Sequence, residues 1–164
     1  MARTIATSTR TDLAGLLAFA RERHDGVLTT FRRDGSLQSS PVTCGVAMSL
    51  PGADGSVEQA RFVVSTYPDR AKAVNLRRDP RASLVVLSPG FGNEWVQVDG
   101  TAEVVDGEDA VEPLVEYFRC ISGEHPDWEE YRRAMRDQGK SLISIAPTRW
   151  GPIATGGFPA RLLP

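Results

Sequence analysis

At 164 residues with 41% hydrophobic side chains, the chain is the size of a single domain (residues 1–164) and carries enough apolar material for an ordinary core. Its 15 glycines, 11 prolines and 24% charged residues exclude a low-complexity chain. The 19 basic and 21 acidic side chains leave a net charge of -2, which argues against broad nonspecific nucleic-acid binding, whose affinity comes from neutralising many phosphates.

The N-terminal apolar residues are interrupted by Asp12, Arg21 and Glu22, and no run approaches the roughly 20 apolar residues that span a bilayer. No signal-peptide core is evident, so the expectation is a cytoplasmic protein with neither a membrane nor a nucleic-acid partner. Cys44 and Cys120 have no C-x-x-C spacing and read as small buried hydrophobes. His24 and His125 are equally isolated, so no metal site is expected. With no G-x-S-x-G, G-x-G-x-x-G or P-loop pattern, catalytic side chains stay unassigned.

In chain order, Leu13, Leu16, Leu17 and Ala20 lie at the spacing of one helical face, with Thr11 or Asp12 as the cap. "VLTTFRR" and "SLQSSPVTCGVAM" flank Asp34-Gly35 and read as an antiparallel pair joined at a glycine turn. "VEQARFVVST" is a third strand, and "ASLVVL" a fourth. Between them, residues 71–76 favour a short helix that Asp79-Pro80 ends, because the residue before proline is pushed out of the α region. "EWVQVDGTAEVV" alternates as a fifth strand, and Gly100 within it suggests a bulge or sharp bend. Val111, Leu114, Val115 and Phe118 sit at helical spacing, "DWEEYRRAMRDQG" reads as a helix opened by Asp127 and stopped by Gly139, and "SLISIAPTRWG" restores strand character. About six strands joined by short connections predict a mainly β, α+β antiparallel barrel with peripheral helices rather than a doubly wound sheet.

Within residues 65–86, "STYPDRAKAVNLRRDPRASLVV", five cations gather: Arg70, Lys72, Arg77, Arg78 and Arg81. A helix opening near Asp69 or Tyr67-Pro68 presents unpaired N–H groups and the positive end of its dipole to an anion. Arg70 adds a fork and Lys72 a mobile charge. The plainer alternative is a solvated helix whose Arg77, Arg78 and Arg81 meet Asp79 and other surface acids.

That segment, with "GVLTTFRRDGSLQSSPV" before it and "VQVDGTAEVV" after it, closely resembles the split β-barrel flavin and deazaflavin oxidoreductases, the superfamily that includes pyridoxamine 5′-phosphate oxidase. Likeness extends over residues 26–151 and preserves the order of the D-G turn, S-P-V, R-A-K-x-x-N-L, D-P-R and D-G-T-A. "RAKAVNLRRDPRASL" and "ISGEHPDWEEYRRAM" look most like the actinobacterial branch that uses coenzyme F420, a 5-deazaflavin with a phosphodiester and an anionic oligoglutamate tail.

The resemblance implies an FMN-binding-like split barrel. It assigns the cofactor phosphate to Arg70 and Lys72, with Ser65, Thr66 and Asn75 as polar neighbours, and it places Gln38, Ser40, Pro41 and Val42 along the ring system. It also implies a homodimer with cofactor sites at its interface, and hydride transfer between F420 and a conjugated small-molecule acceptor. FMN in the same fold is the alternative cofactor, and a barrel that binds F420, flavin or a tetrapyrrole without turnover is the alternative function. Arg77, Arg78 and Arg81 are candidates for the glutamate tail. Trp95, Trp150, residues 88–93 and residues 155–164 are candidates for the substrate border.

Overall fold

The computed structural model describes residues 6–90 and 93–156. The chain enters through strand β1 (Thr7–Thr9) and helix α1 (Leu13–Arg21). Asp12, not Thr11, caps α1, accepting from the Gly15 N–H at 2.8 Å. Leu16, Leu17, Phe19 and Ala20 form the buried face, which is the face the apolar spacing predicts.

Strands β2 (Asp25–Phe31) and β3 (Leu37–Ala47) form the first hairpin. The chain reverses over Arg32 to Gly35, where the Gly35 N–H donates to the Arg32 carbonyl at 2.9 Å and Gly35 takes φ 84°, a conformation glycine adopts without a Cβ penalty. Strand β4 (Arg61–Thr66), helix α2 (Ala71–Arg78), strand β5 (Arg81–Leu87) and strand β6 (Trp95–Val105) follow. Helices α3 (Val111–Ser122) and α4 (Trp128–Gln138), then strands β7 (Ser141–Trp150) and β8 (Ile153–Thr155), complete the described chain.

Every strand pairing is antiparallel. β2, β3, β4, β7, β6 and β5 close a six-stranded barrel, with β8 and β1 added beyond β6. Leu28, Phe62, Val64, Leu84, Val86, Val98, Ile143 and Ile145 fill the interior beneath α1. A second apolar layer, built on Val63, Leu114, Val115, Tyr131 and Leu142, seats α3 and α4 on the outside of β4 and β7. Asp127 caps α4 through the Glu130 N–H, and Gly139 ends it in the left-handed region. Among the described helices none is long and apolar enough to cross a membrane.

The sequence pattern does not announce β1 and β8, because three-residue strands carry too little alternation to register. Both cysteines are poor nucleophiles. Burial pushes the Cys44 thiol up to about 12 and the Cys120 thiol up to about 11.

Gly100 is the bend the sequence suggests. The β6–β7 register shifts between Asp99 and Gly100, and a Cβ at Gly100 would lie 2.3 Å from the Ala146 carbonyl oxygen. Backbone cannot retreat there without breaking the barrel closure. Gly100→Ala is expected to destabilise the fold by about 2 kcal/mol, read as a fall in thermal midpoint of roughly 4–8 °C for a chain of this size. An unchanged midpoint would show that the bulge tolerates a side chain.

Candidate functional site

The barrel opens where β3 changes partners. Asp25 to Phe31 of β2 pair with β3 from Thr43 back to Leu37, whereas β4 pairs with β3 only from Cys44 to Ala47. Beyond Val64, Ser65 and Thr66 instead follow β7, opposite Leu142 and Ser141. Residues 37–43 therefore keep one edge unpaired among the described residues, facing a split whose other wall is the end of β4 and the start of α2. An unpaired edge offers a row of backbone donors and acceptors to whatever enters.

Alternation sorts the β3 candidates. Gln38, Ser40 and Val42 share the face of Leu28 and Thr30, since their register partners are Thr30, Leu28 and Gly26. All three are partly buried. Pro41 pairs with Val27 and is exposed, so its ring turns to the opposite face, and what it brings to the split is backbone without a donor. The Ser40 hydroxyl is buried with no hydrogen-bond partner among the described residues. A buried hydroxyl left unpaired is costly, and a ligand in the split is one way to satisfy it.

At the opposite wall, helix α2 begins with Arg70 as its N-cap, in extended geometry at φ -69° and ψ 145°, and no side chain caps it. Asp69, the anticipated opener, does not. The amides of Ala71, Lys72 and Ala73 meet no acceptor among the described residues. Three open N–H groups at a helix start, with the dipole behind them, suit an anion.

The five cations divide into two groups. Arg77 forks onto Asp106, with Nη2 at 2.7 Å from Oδ1, and Arg81 pairs with Asp79 at 2.6 Å. Arg78 donates to the Phe31 carbonyl and, at 3.3 Å, to Asn75 Oδ1. Arg70 and Lys72 form no ion pair among the described residues. Burial, and then the charge of Arg70, holds the Lys72 ammonium below its usual 10.5. Two neighbouring cations without a counterion, one of them partly desolvated, form a site that gains from an added anion.

Between the walls runs a buried polar string. Asn75 Nδ2 donates to Thr30 Oγ1 at 3.0 Å, and Thr30 Oγ1 donates to Gln38 Oε1 at 3.3 Å. This joins α2, β2 and β3 at the split. Asn75 is 7% and Thr30 0% exposed, so Asn75 acts chiefly as the pin between helix and barrel. Thr66 is buried, while Ser65 is partly buried.

Thr30 and Tyr117 are the residues that sequence reasoning missed. Thr30 left a readable sign, a hydroxyl on the inward series Gly26, Leu28, Thr30. Tyr117 left none. It stands on α3, and its phenol donates to the Thr43 carbonyl at 3.2 Å where β3 and β4 part; burial raises its pKa above the usual 10.

Of the border candidates, Trp150 donates to the Thr11 carbonyl at 2.9 Å and packs on the core. Trp95 lies on the outer sheet face, 38% exposed. Ser88 is buried and donates to the Glu94 carbonyl, while Phe91, Gly92 and residues 157–164 lie outside the described residues.

A closed six-stranded antiparallel barrel that splits along one strand edge is the fold of the split-barrel flavin and deazaflavin oxidoreductase superfamily. Residues 15–154 match the family described as pyridoxamine 5′-phosphate oxidase, and the chain belongs to it. Among solved structures, a conserved hypothetical protein from Mycobacterium tuberculosis is similar at 23% identity and TM-score 0.67, over 90% of this chain and 89% of that one. An F420 reductase is similar over 82% of this chain and 94% of that one, at 18% identity and TM-score 0.56. A FAD-binding protein from Mesorhizobium loti is similar over 93% of this chain and 100% of that one, at 18% identity and TM-score 0.60. At these identities the likeness is one of fold.

An anion placed beside Lys72 would favour its charged form, raising the pKa that burial and Arg70 hold down and drawing in a proton. Affinity for an anionic cofactor is therefore expected to weaken with rising pH over the alkaline range below the ordinary lysine pKa. Lys72→Arg is expected to flatten that drift, because guanidinium does not titrate there. Titrations across that range check it, and equal drift in both proteins would remove Lys72 from the anion site.

Proposed function

We propose that this protein is an F420-dependent oxidoreductase of the cytoplasm, moving a hydride between the deazaflavin and a conjugated small-molecule acceptor. The observation that carries the reading is the allocation of charge. Three of the clustered arginines are engaged within the fold, while Arg70 and Lys72 have no counterion among the described residues and stand beside the open amides of α2.

The residues fit such a group. Arg70, Lys72 and the α2 amides would hold its phosphodiester, with Ser65, Thr66 and Asn75 close by. Gln38, Ser40 and Val42 would line its ring, and the unpartnered Ser40 hydroxyl is the polar atom most in need of that contact. When bound, F420 supplies two-electron hydride chemistry. The chain's own task is to orient it: Thr30 and Asn75 fix α2 against β2, and Tyr117 fixes the fork of the split. No acid–base pair is required of the protein, in keeping with the lack of a catalytic motif.

The phosphate site serves FMN equally well, and this is the second reading. Parallel titrations of cofactor-free protein with F420 and FMN decide between them. Tighter binding of F420, weakened roughly 10- to 100-fold by Lys72→Ala, is the expected result. Preference for FMN would keep the fold and replace the cofactor, and binding of neither would return Arg70 and Lys72 to the solvent. Bound F420 without oxidation across a broad acceptor panel would favour a carrier over an enzyme.

The second partner is another copy of the chain. Outward residues of β2, β3, β5 and β6, among them Thr29, Phe31, Leu37 and Val85, line a shallow concavity of about 720 Å³, with Leu37 58% exposed at its rim. This face adjoins the split, so a second copy seated on it would complete each cofactor site. Light scattering at micromolar concentration is expected to give twice the mass of one chain, and Leu37→Arg to shift it toward one. A monomeric wild-type protein would overturn the dimer.

A further inference from the structure

The segment that aims the anion site is itself held by a residue the site does not use. Arg77 lies in the last turn of α2, but its side chain runs back along the helix, the direction helical side chains favour, and Nη1 donates to the Pro68 carbonyl at 2.8 Å. Its Nε and Nη2 meet both oxygens of Asp106, at 3.3, 2.7 and 2.9 Å. Asp106 follows the end of β6 and also accepts from the Ser141 hydroxyl. Ser141 is 0% exposed and sits opposite Thr66 in the β4–β7 ladder. One carboxylate thus connects the barrel wall to the turn between β4 and α2.

Pro68 matters because of peptide geometry. In a trans peptide the carbonyl and the following N–H point in opposite directions, and the described peptides contain no cis bond. Drawing the Pro68 carbonyl onto Arg77 turns the Asp69 N–H away from Arg77. That amide, like those of Ala71, Lys72 and Ala73, meets no acceptor among the described residues. Other hydrogen bonds in this turn are weak by comparison, the Arg70 N–H reaching the Tyr67 carbonyl at 3.2 Å and Thr66 Oγ1 reaching the same carbonyl at 3.5 Å.

We infer that Arg77 and Asp106 form a clamp that presets the 67–70 turn, so that the Asp69 amide joins those of α2 as a donor to the bound anion. Arg77 is a positioning residue; it acts through Pro68 and carries no counterion role, since Asp106 already neutralises it. The inference rests on the anion site proposed above, and it extends that site by a backbone donor and by the pair that orients it. It also withdraws Arg77 from contact with a cofactor tail.

Arg77→Lys tests geometry apart from charge. An ammonium keeps the charge but cannot fork onto Asp106 and reach Pro68 together. Asp106→Asn is the companion variant, and Arg136→Gln on α4, which breaks a comparable exposed pair with Glu108, is the control. Two readouts are taken on the full chain: F420 and FMN affinity by titration, and amide chemical shifts of Asp69 and residues 71–73 on addition of inorganic phosphate, with thermal midpoints recorded alongside.

Both clamp variants are expected to bind cofactor about tenfold more weakly and to lose the phosphate-induced shift at Asp69, while Arg136→Gln matches wild type. Arg77→Lys binding within twofold of wild type with the Asp69 shift intact would overturn the clamp. So would an affinity loss shared by Arg136→Gln, or a wild-type Asp69 amide that does not respond to phosphate. If wild type binds neither F420 nor FMN, the cofactor reading fails by itself, and the Asp69 shift in Arg77→Lys still decides the clamp.

Discussion

Everything in this molecule follows from β3 exchanging partners at Cys44. Over residues 37–43 the strand hydrogen-bonds β2 on one edge alone, and from Cys44 onward it hydrogen-bonds β4. The cause is a difference in what covers its faces. From Cys44 to Ala47 every residue is buried, because α3 lies against the outer face so closely that a Cβ on Gly45 would come within 2.9 Å of Cys120 Cβ. Before Cys44 the outer face is bare, and burial alternates along the strand. A strand gripped on both faces at one end and on one face at the other has no reason to keep a single neighbour throughout.

The fold was legible where a residue type permits few conformations. Asp12 and Asp127 as caps, Gly139 as a left-handed stop, Asp79-Pro80 as a terminator and Gly100 as a bend each follow from local sterics, and the alternation along β6 follows from a buried interior. The site was legible only as far as the resemblance reached. It named Arg70, Lys72 and Asn75, which the structure sets on α2 and at its N-cap, and the β3 residues, which it sets across the split, but it grouped Pro41 with Gln38, Ser40 and Val42, although strand alternation alone sets Pro41 on the other face. Tyr117 and Asp106 were beyond reach, because their partners at Thr43 and Arg77 are 74 and 29 positions away. No periodicity links such positions before the barrel closes.

Charge at the site is governed by position more than by number. Exposed ion pairs contribute little to stability, so Asp79 and Asp106 are not notable as sources of folding energy. Their effect is to settle which cations stay available. Arg81, held by Asp79 and laid over the Phe31 ring at 4.3 Å, and Arg77, held by Asp106, no longer compete for an incoming anion. Arg78 is consumed by the Phe31 carbonyl at the end of β2. The availability of Arg70 and Lys72 is thus a consequence of where the neighbouring acids lie, and a count of basic residues in the segment overstates the field that a ligand meets.

Availability has a cost that the structure makes visible. A lysine whose pKa is held down by burial and by a neighbouring guanidinium sits in a folded state that favours its neutral form, so unliganded stability rises with pH wherever the unfolded chain binds that proton and the folded chain does not. The Ser40 hydroxyl, buried without a partner, is a second local penalty of the same kind. Both lie at the split, on opposite walls, and both would be relieved by one bound group presenting an anion to α2 and a polar ring edge to β3. Among the described residues the Ser40 hydroxyl is the one buried side-chain polar atom without a partner, and it lies across the same gap from the uncompensated Lys72.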